Sequence, residues 1–129
     1  MIIIKRIFIS SILFLSILMF VIYANNNLSS LCNNIENTCN ELEILINDKN
    51  WETALIKTDK LITEITDNKR IIALYINHSD FDLLFNETLK LNLYVECRDN
   101  SESHVSLHIL KYTAQNIRAL NTLSLENIF

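Results

Sequence analysis

Apolar residues recur along this chain at alternating steps of four and three. Leu28, Cys32, Ile35, Cys39, Leu42 and Ile46 form one such stripe. That spacing keeps one face of an α-helix apolar and predicts a helix from about 28 to 47. "NDKN", residues 47–50, reads as a turn. Asn50 is placed to cap a second helix, with Glu52 favourable in its first turn. That helix is predicted from 51 to about 77. Trp51, Leu55, Thr58, Ile62 and Ile65 continue the spacing, Lys69 interrupts it, and Ile72 and Ile76 resume it. A third helix, about 80–97, carries Phe81, Leu84, Thr88, Leu91 and Val95, with Phe85 and Leu89 widening the face. "RDNSES", 98–103, is a polar turn. A fourth helix, about 102–120, carries Val105, Ile109, Tyr112 and Leu120, with Leu110 and Ile117 alongside, and "NTLSLENIF" is a tail. Connections this short favour antiparallel neighbours. The expected fold is all-α: about four amphipathic helices packed as antiparallel hairpins, in a four-helix bundle or a short helical stack. No internal repeat is visible at this level.

Ahead of these helices the pattern changes. "IFISSILFLSILMFVIYA", residues 7–24, is uncharged and apolar on every side. Eighteen residues at 1.5 Å each reach about 27 Å, close to a bilayer's hydrocarbon thickness. Lys5 and Arg6 precede the run, and no basic residue follows it until Lys49. The positive-inside rule then places the N-terminus in the cytoplasm and the remainder outside. Residues 1–24 are thus expected to be a transmembrane anchor, inserted in the lipid bilayer through 7–24, and residues 25–129 an extracytoplasmic helical domain. Cleavage after Ala24, giving a secreted protein, is the alternative; the run is long for a signal peptide.

Composition narrows the function classes. The chain has 129 residues and neither glycine nor proline, where average usage predicts about nine and six. The residues that most easily form tight turns, left-handed caps and phosphate-cradling loops are therefore missing. Half the residues are hydrophobic and 20% charged, the balance of a folding sequence. Setting aside Lys5 and Arg6 leaves nine basic against 15 acidic side chains, a net charge of −6. That opposes binding to nucleic acid.

"INHSDFDLL", 76–84, sets His78, Asp80 and Asp82 at alternate positions. One helix junction accounts for all three. Ser79 would cap a helix with Asp82 as its partner three residues on, and the two aspartates would face the positive helix end. His78 would close the preceding helix. Read as metal ligands instead, His78 and Asp82 lack the third and fourth ligands such a site requires. His104 and His108, four apart, share a helical face as in helical zinc sites, but "HVSLH" lacks the adjacent glutamate of a zinc protease. Glu41/Glu43 and Asp80/Asp82 are two apart and point to different sides of a helix. No serine sits in a strand–turn–helix elbow. The expectation is a protein with no catalytic residues, no cofactor and no enzymatic activity. The alternative is a metal- or small-ligand-binding helical domain.

Cys32 and Cys39 are seven apart, about 10.5 Å along a helix, beyond disulfide reach. They read as small buried hydrophobes, while a bridge between chains or to Cys97 stays open outside the cytoplasm. Trp51, Tyr75 and Tyr94 offer either core packing or an aromatic wall for a ligand. Leu125, Ile128 and Phe129 are apolar at the very end. Docking back onto the bundle would stabilise it by a few kcal/mol at ~25 cal/mol/Å²; docking onto another protein is the other choice. Trp51, Leu125, Ile128 and Phe129 are accordingly the interaction candidates, with another membrane or envelope protein as partner.

Three stretches, "NWETAL" (50–55), "LYINHSDFDLL" (74–84) and the terminal "LSLENIF", together with the anchor and the length, resemble domain-of-unknown-function family 4363. These are small helical proteins of Gram-positive, often spore-forming bacteria. The resemblance implies a bacterial membrane location and no known activity, cofactor or catalytic residue. Two departures stand out. The family pattern implies a second tryptophan late in the second helix, whereas Trp51 is alone here. It also implies a histidine just before Ile117, where this chain has Asn116.

Overall fold

The computed structural model describes the backbone of residues 1–128, and side chains other than those of 24, 25, 75 and 121–129. It contains five helices: α1 (Ile2–Asn47), α2 (Trp51–Asp67), α3 (Lys69–Tyr75), α4 (His78–Glu96) and α5 (Asn100–Ile128). No strand occurs among the described residues. The apolar N-terminal run and the first amphipathic helix are one unbroken helix of 46 residues. At 1.5 Å per residue it is about 69 Å long. Asn25, Asn26 and Asn27 do not interrupt it. Asparagine costs a helix interior only ~0.7 kcal/mol, against ~3 for proline. Within the apolar half of α1 no residue is buried. Beyond Leu28 the same helix forms one wall of a bundle.

The bundle is a ring of four long helices, with each neighbouring pair antiparallel. Polar contacts clasp every seam at its rim. Between α1 and α2, Lys57 pairs with Glu41, and Asn34 Nδ2 donates to Glu64 (3.3 Å). Between α2 and α4, Asn92 Nδ2 donates to Thr58 Oγ1 (2.9 Å) and Asp59 Oδ1 (2.8 Å). Between α4 and α5, Ser106 Oγ donates to the Glu87 backbone carbonyl and to its Oε2, both at 3.1 Å. Between α5 and α1, Lys111 Nζ donates to Asn40 (2.6 Å), and Arg118 pairs with Glu36 (3.1 Å) and Asn33. Inside lie Ile35, Leu42, Ile46, Leu61, Ile65, Ile72, Leu84, Leu91 and Leu110, essentially excluded from solvent. Each contributes roughly 1.5–3 kcal/mol by burial. Short α3 packs across α1 at the end where the exposed half of α1 leaves the bundle.

Several expected boundaries move. The helix expected over 51–77 is two, broken at Asn68 (φ −99°, ψ 9°). Asn68 Nδ2 donates to the Glu64 carbonyl (2.7 Å), and Thr63 and Thr66 donate to carbonyls four residues back. Such side-chain bonds compete with the helix ladder and bend it. The cap of α4 is Asn77, not Ser79. Asn77 has the extended backbone a cap needs (ψ 164°), and its Oδ1 accepts from the Asp80 N–H (2.9 Å). α5 begins at Asn100, with Asp99 Oδ1 accepting from the Glu102 N–H (3.1 Å), and continues to Ile128 through the expected tail.

The face expected to pack on the last helix is corrected in part: Leu110 and Ile117 are buried as expected, but the main stripe is not. Val105, Ile109, Tyr112 and Leu120 are exposed, whereas Ser103, Ser106, Leu107, Leu110, Thr113, Ala114 and Ile117 are buried. Small side chains at Ser103, Ser106 and Ala114 share the buried face with Leu107, Leu110 and Ile117, so burial does not follow side-chain size alone.

An internal repeat is present after all. Adding 49 to each buried position from Cys32 to Ile65 gives another buried position, from Cys32/Phe81 through Leu42/Leu91 and Leu61/Leu110 to Ile65/Ala114. The turns match too. Lys49 (φ 58°) and Arg98 (φ 56°) occupy the same left-handed position after α1 and α4. Asn50 and Asp99 each return an N–H to the carbonyl five residues back, on Leu45 and Tyr94, both at 2.9 Å. This is the bonding of a helix C-terminus that glycine normally completes. Hairpin α1–α2 and hairpin α4–α5 therefore follow one plan.

A left-handed non-glycine residue costs ~1–2 kcal/mol, partly offset by the greater flexibility of glycine when unfolded. Lys49→Gly and Arg98→Gly should each stabilise the chain by about 0.5–1 kcal/mol. Thermal unfolding of the detergent-solubilised chain, followed by circular dichroism, measures this. A lowered midpoint for both variants would contradict the left-handed turns.

Candidate functional site

The sequence candidates scatter over the bundle. His78 is exposed and is the first residue of α4, not the last of the helix before it. A positive charge at that position would oppose the helix dipole instead of complementing it. Asp80 lies in the first turn of α4, and Asp82 is exposed just beyond. His104 is half-buried and His108 exposed, one turn apart on α5. Among the described residues no group of three or more His, Cys, Asp or Glu side chains is placed to hold a metal ion. Leu125, Ile128 and Phe129 lie outside the residues whose side chains are described, as does Tyr75. Trp51 is half-buried against the core, as are Leu45 and Leu55.

Two small depressions mark the ends of the bundle. Near α3, Lys69, Ala73, Ile76, Asn77, His78 and Phe81 line a slot of about 200 Å³. Lys69 Nζ stands 5.9 Å from the Phe81 ring, which stacks on Phe85 with centroids 5.9 Å apart. At the far end, Lys49, Asn50, Trp51, Glu52 and Arg98 line about 230 Å³. There the two matching turns come together. Neither depression gathers a nucleophile, a base and an orienting group, the minimum for covalent chemistry.

The thiols are free and differ in kind. Cys32 and Cys39 lie in the α1 stripe, and burial pushes their thiols up to about 11 and about 12. Desolvation outweighs the opposing pull of Arg118 on Cys32 and of Lys111 on Cys39. Cys97 is exposed at the end of α4.

The feature that sequence reasoning misplaced is the outer face of α5. Val105 is 53% and Tyr112 67% exposed. Between Ser103 and Leu120 every exposed residue of α5 lacks a formal charge. The two charged residues in that span, Lys111 and Arg118, turn sideways to α1. The signal was available in the chain as two apolar stripes on one helix, of which only one can face the core.

A family model described as a domain of unknown function (DUF4363) matches residues 22–128. The chain belongs to the DUF4363 family. No curated protein and no solved structure matches it. The match to DUF4363 covers the whole bundle and starts inside the apolar half of α1.

Only a thiolate reacts quickly, so reactivity follows exposure and thiol acidity. At neutral pH in native conditions, a maleimide should label Cys97 alone, and all three cysteines after denaturation. Intact mass spectrometry counts the adducts. Rapid labelling of Cys32 or Cys39 in the folded chain would contradict their burial.

Proposed function

We propose that this DUF4363 protein is a single-pass, membrane-anchored interaction module. Its N-terminus is cytoplasmic, its bundle stands at the outer face of a bacterial membrane, and it has no chemistry of its own. It acts by binding another membrane or envelope protein. One observation supports this reading above the others. The first half of α1 is long and apolar enough to cross a bilayer, and none of it is buried against the bundle. So much apolar surface is unstable in water and is matched by hydrocarbon. Lys5 and Arg6 at its start favour the cytoplasmic side for the N-terminus.

The orientation is tested through Cys97, the one exposed thiol. A charged, membrane-impermeant maleimide applied to intact cells should label the protein, and its intact mass should retain residues 1–24. Labelling only after lysis would reverse the orientation. A mass lacking the first 24 residues would replace the anchor by a cleaved leader.

A further inference from the structure

We infer that the end of the bundle formed by α3 and the first turn of α4 is seated in the lipid headgroup layer, with Lys69 and Arg70 meeting phospholipid phosphates. The contact rests on the anchored-module reading and adds a second attachment to the same membrane. Its basis is the spacing between the apolar run and the bundle. The run ends at Ala24, and the first core residue is Leu28, on the same unbroken helix. At 1.5 Å per residue the gap is about 6 Å. The headgroup layer of one leaflet is itself about 5–8 Å deep. A continuous helix therefore leaves the bundle no room to stand clear of it.

The register between helices shows which residues occupy that level. From Lys57 to Glu64, α2 meets α1 from Glu41 back to Asn34, residue for residue. Continued past the end of α2, this register sets Lys69 and Arg70 level with Ser29 and Leu28. α3 then packs across α1, with Ile72 fully buried. Lys69, Arg70, Ala73, Leu74, Asn77 and His78 stay exposed.

The chemistry of that end suits phospholipid. Lys69 and Arg70 are the only adjacent basic residues beyond residue 24. Lys57, Lys90 and Arg118 are each paired with a glutamate, whereas neither Lys69 nor Arg70 has an acidic partner among the described residues. Lysine meets a phosphate as a point charge and arginine as a planar fork. Beside them, the slot of about 200 Å³ joins Lys69, Asn77 and His78 to apolar Ala73, Ile76 and Phe81. A headgroup and the start of its acyl chains present the same mixture. The bundle's net charge of −6 opposes free adsorption to an anionic surface, and Asp67, Asp80 and Asp82 lie close in sequence to the pair. The anchor therefore imposes the contact, and the basic pair supplies the local attraction.

The test uses the full chain in vesicles of phosphatidylethanolamine and phosphatidylglycerol, in a Cys97→Ser background where Cys32 and Cys39 stay shielded. A nitroxide is attached at Leu74→Cys, Leu93→Cys or Phe14→Cys. Its collisions with oxygen, which concentrates in lipid, and with a nickel chelate, which stays in water, are compared. Leu74 and Leu93 are 63% and 57% exposed, so without lipid they read alike. Leu93 follows Asn92, which bonds Thr58, and lies roughly 18 Å farther from the bilayer at 1.5 Å per residue. The expected result is oxygen-rich Phe14, and nickel access at Leu74 several-fold below that at Leu93. Reversing both charges, Lys69→Glu with Arg70→Glu, should return nickel access at Leu74 toward the Leu93 value, with helicity unchanged. Equal nickel access at Leu74 and Leu93, with Phe14 still in lipid, overturns the headgroup contact and leaves the anchor standing. Low access to both reagents at Leu74 indicates cover by protein and also overturns it. Nickel reaching Phe14 as freely as Leu93 refutes the anchor, and the contact with it.

Discussion

The stripe Leu28, Cys32, Ile35, Cys39, Leu42 and Ile46 on α1 is buried to within about 1% of its surface, and the rest of the bundle is arranged around it. α2 and α5 close over it from either side, α3 covers its upper end, and α4 completes the ring by packing on α2 and α5. The same backbone carries the exposed apolar half. A helix that loses its ladder at one point must place unpaired N–H and C=O groups somewhere. α1 has no glycine or proline at which to do so. Its two halves are therefore one rod, and the orientation of the bundle follows from the orientation of the apolar segment.

Polar side chains do different work on different faces. Those on the seams are used between helices: Asn92 with Thr58 and Asp59, Ser106 with Glu87, Arg118 with Glu36 and Asn33. Seam contacts of this kind each add only modestly to stability. They favour this ring order over others, because each seam has its own donors and acceptors. Drawing Lys111 and Arg118 onto the α1 seam leaves the outside of α5 uncharged between Ser103 and Leu120. Packing and surface character are thus coupled. α5 buries Ser103, Ser106, Thr113 and Ala114 beside Leu107, Leu110 and Ile117, and leaves Val105, Ile109, Tyr112 and Leu120 outside.

That coupling explains what was legible in the sequence. On α1 beyond Leu28 and on α4 the four-three stripe is the buried one, so the spacing of Cys32 to Ile46 and of Phe81 to Val95 reads correctly, although Leu89, expected to widen the face, is exposed. On α5 large apolar residues lie on both faces, and the spacing selects the exposed Val105, Ile109 and Tyr112 along with the buried Leu110 and Ile117. The 49-residue repeat was hidden for a related reason. It is conserved in burial and turn geometry, while Cys39 answers to Thr88, Ile65 to Ala114 and Thr58 to Leu107. The polar cluster at 76–84 was legible as a helix junction, but its cap was not, since Asn77 and Ser79 are both good caps and backbone geometry decides between them. Membership of DUF4363 was visible in the order of weak motifs rather than in any one of them.

The continuity of α1 is best tested by amide hydrogen exchange on the full chain in lipid nanodiscs, resolved across residues 20–32. One rigid rod predicts slow exchange through Asn25, Asn26 and Asn27, merging with that of Leu28–Ile35 without a break. Fast exchange confined to those three asparagines would show a hinge between the apolar half of α1 and the bundle, and would contradict the account.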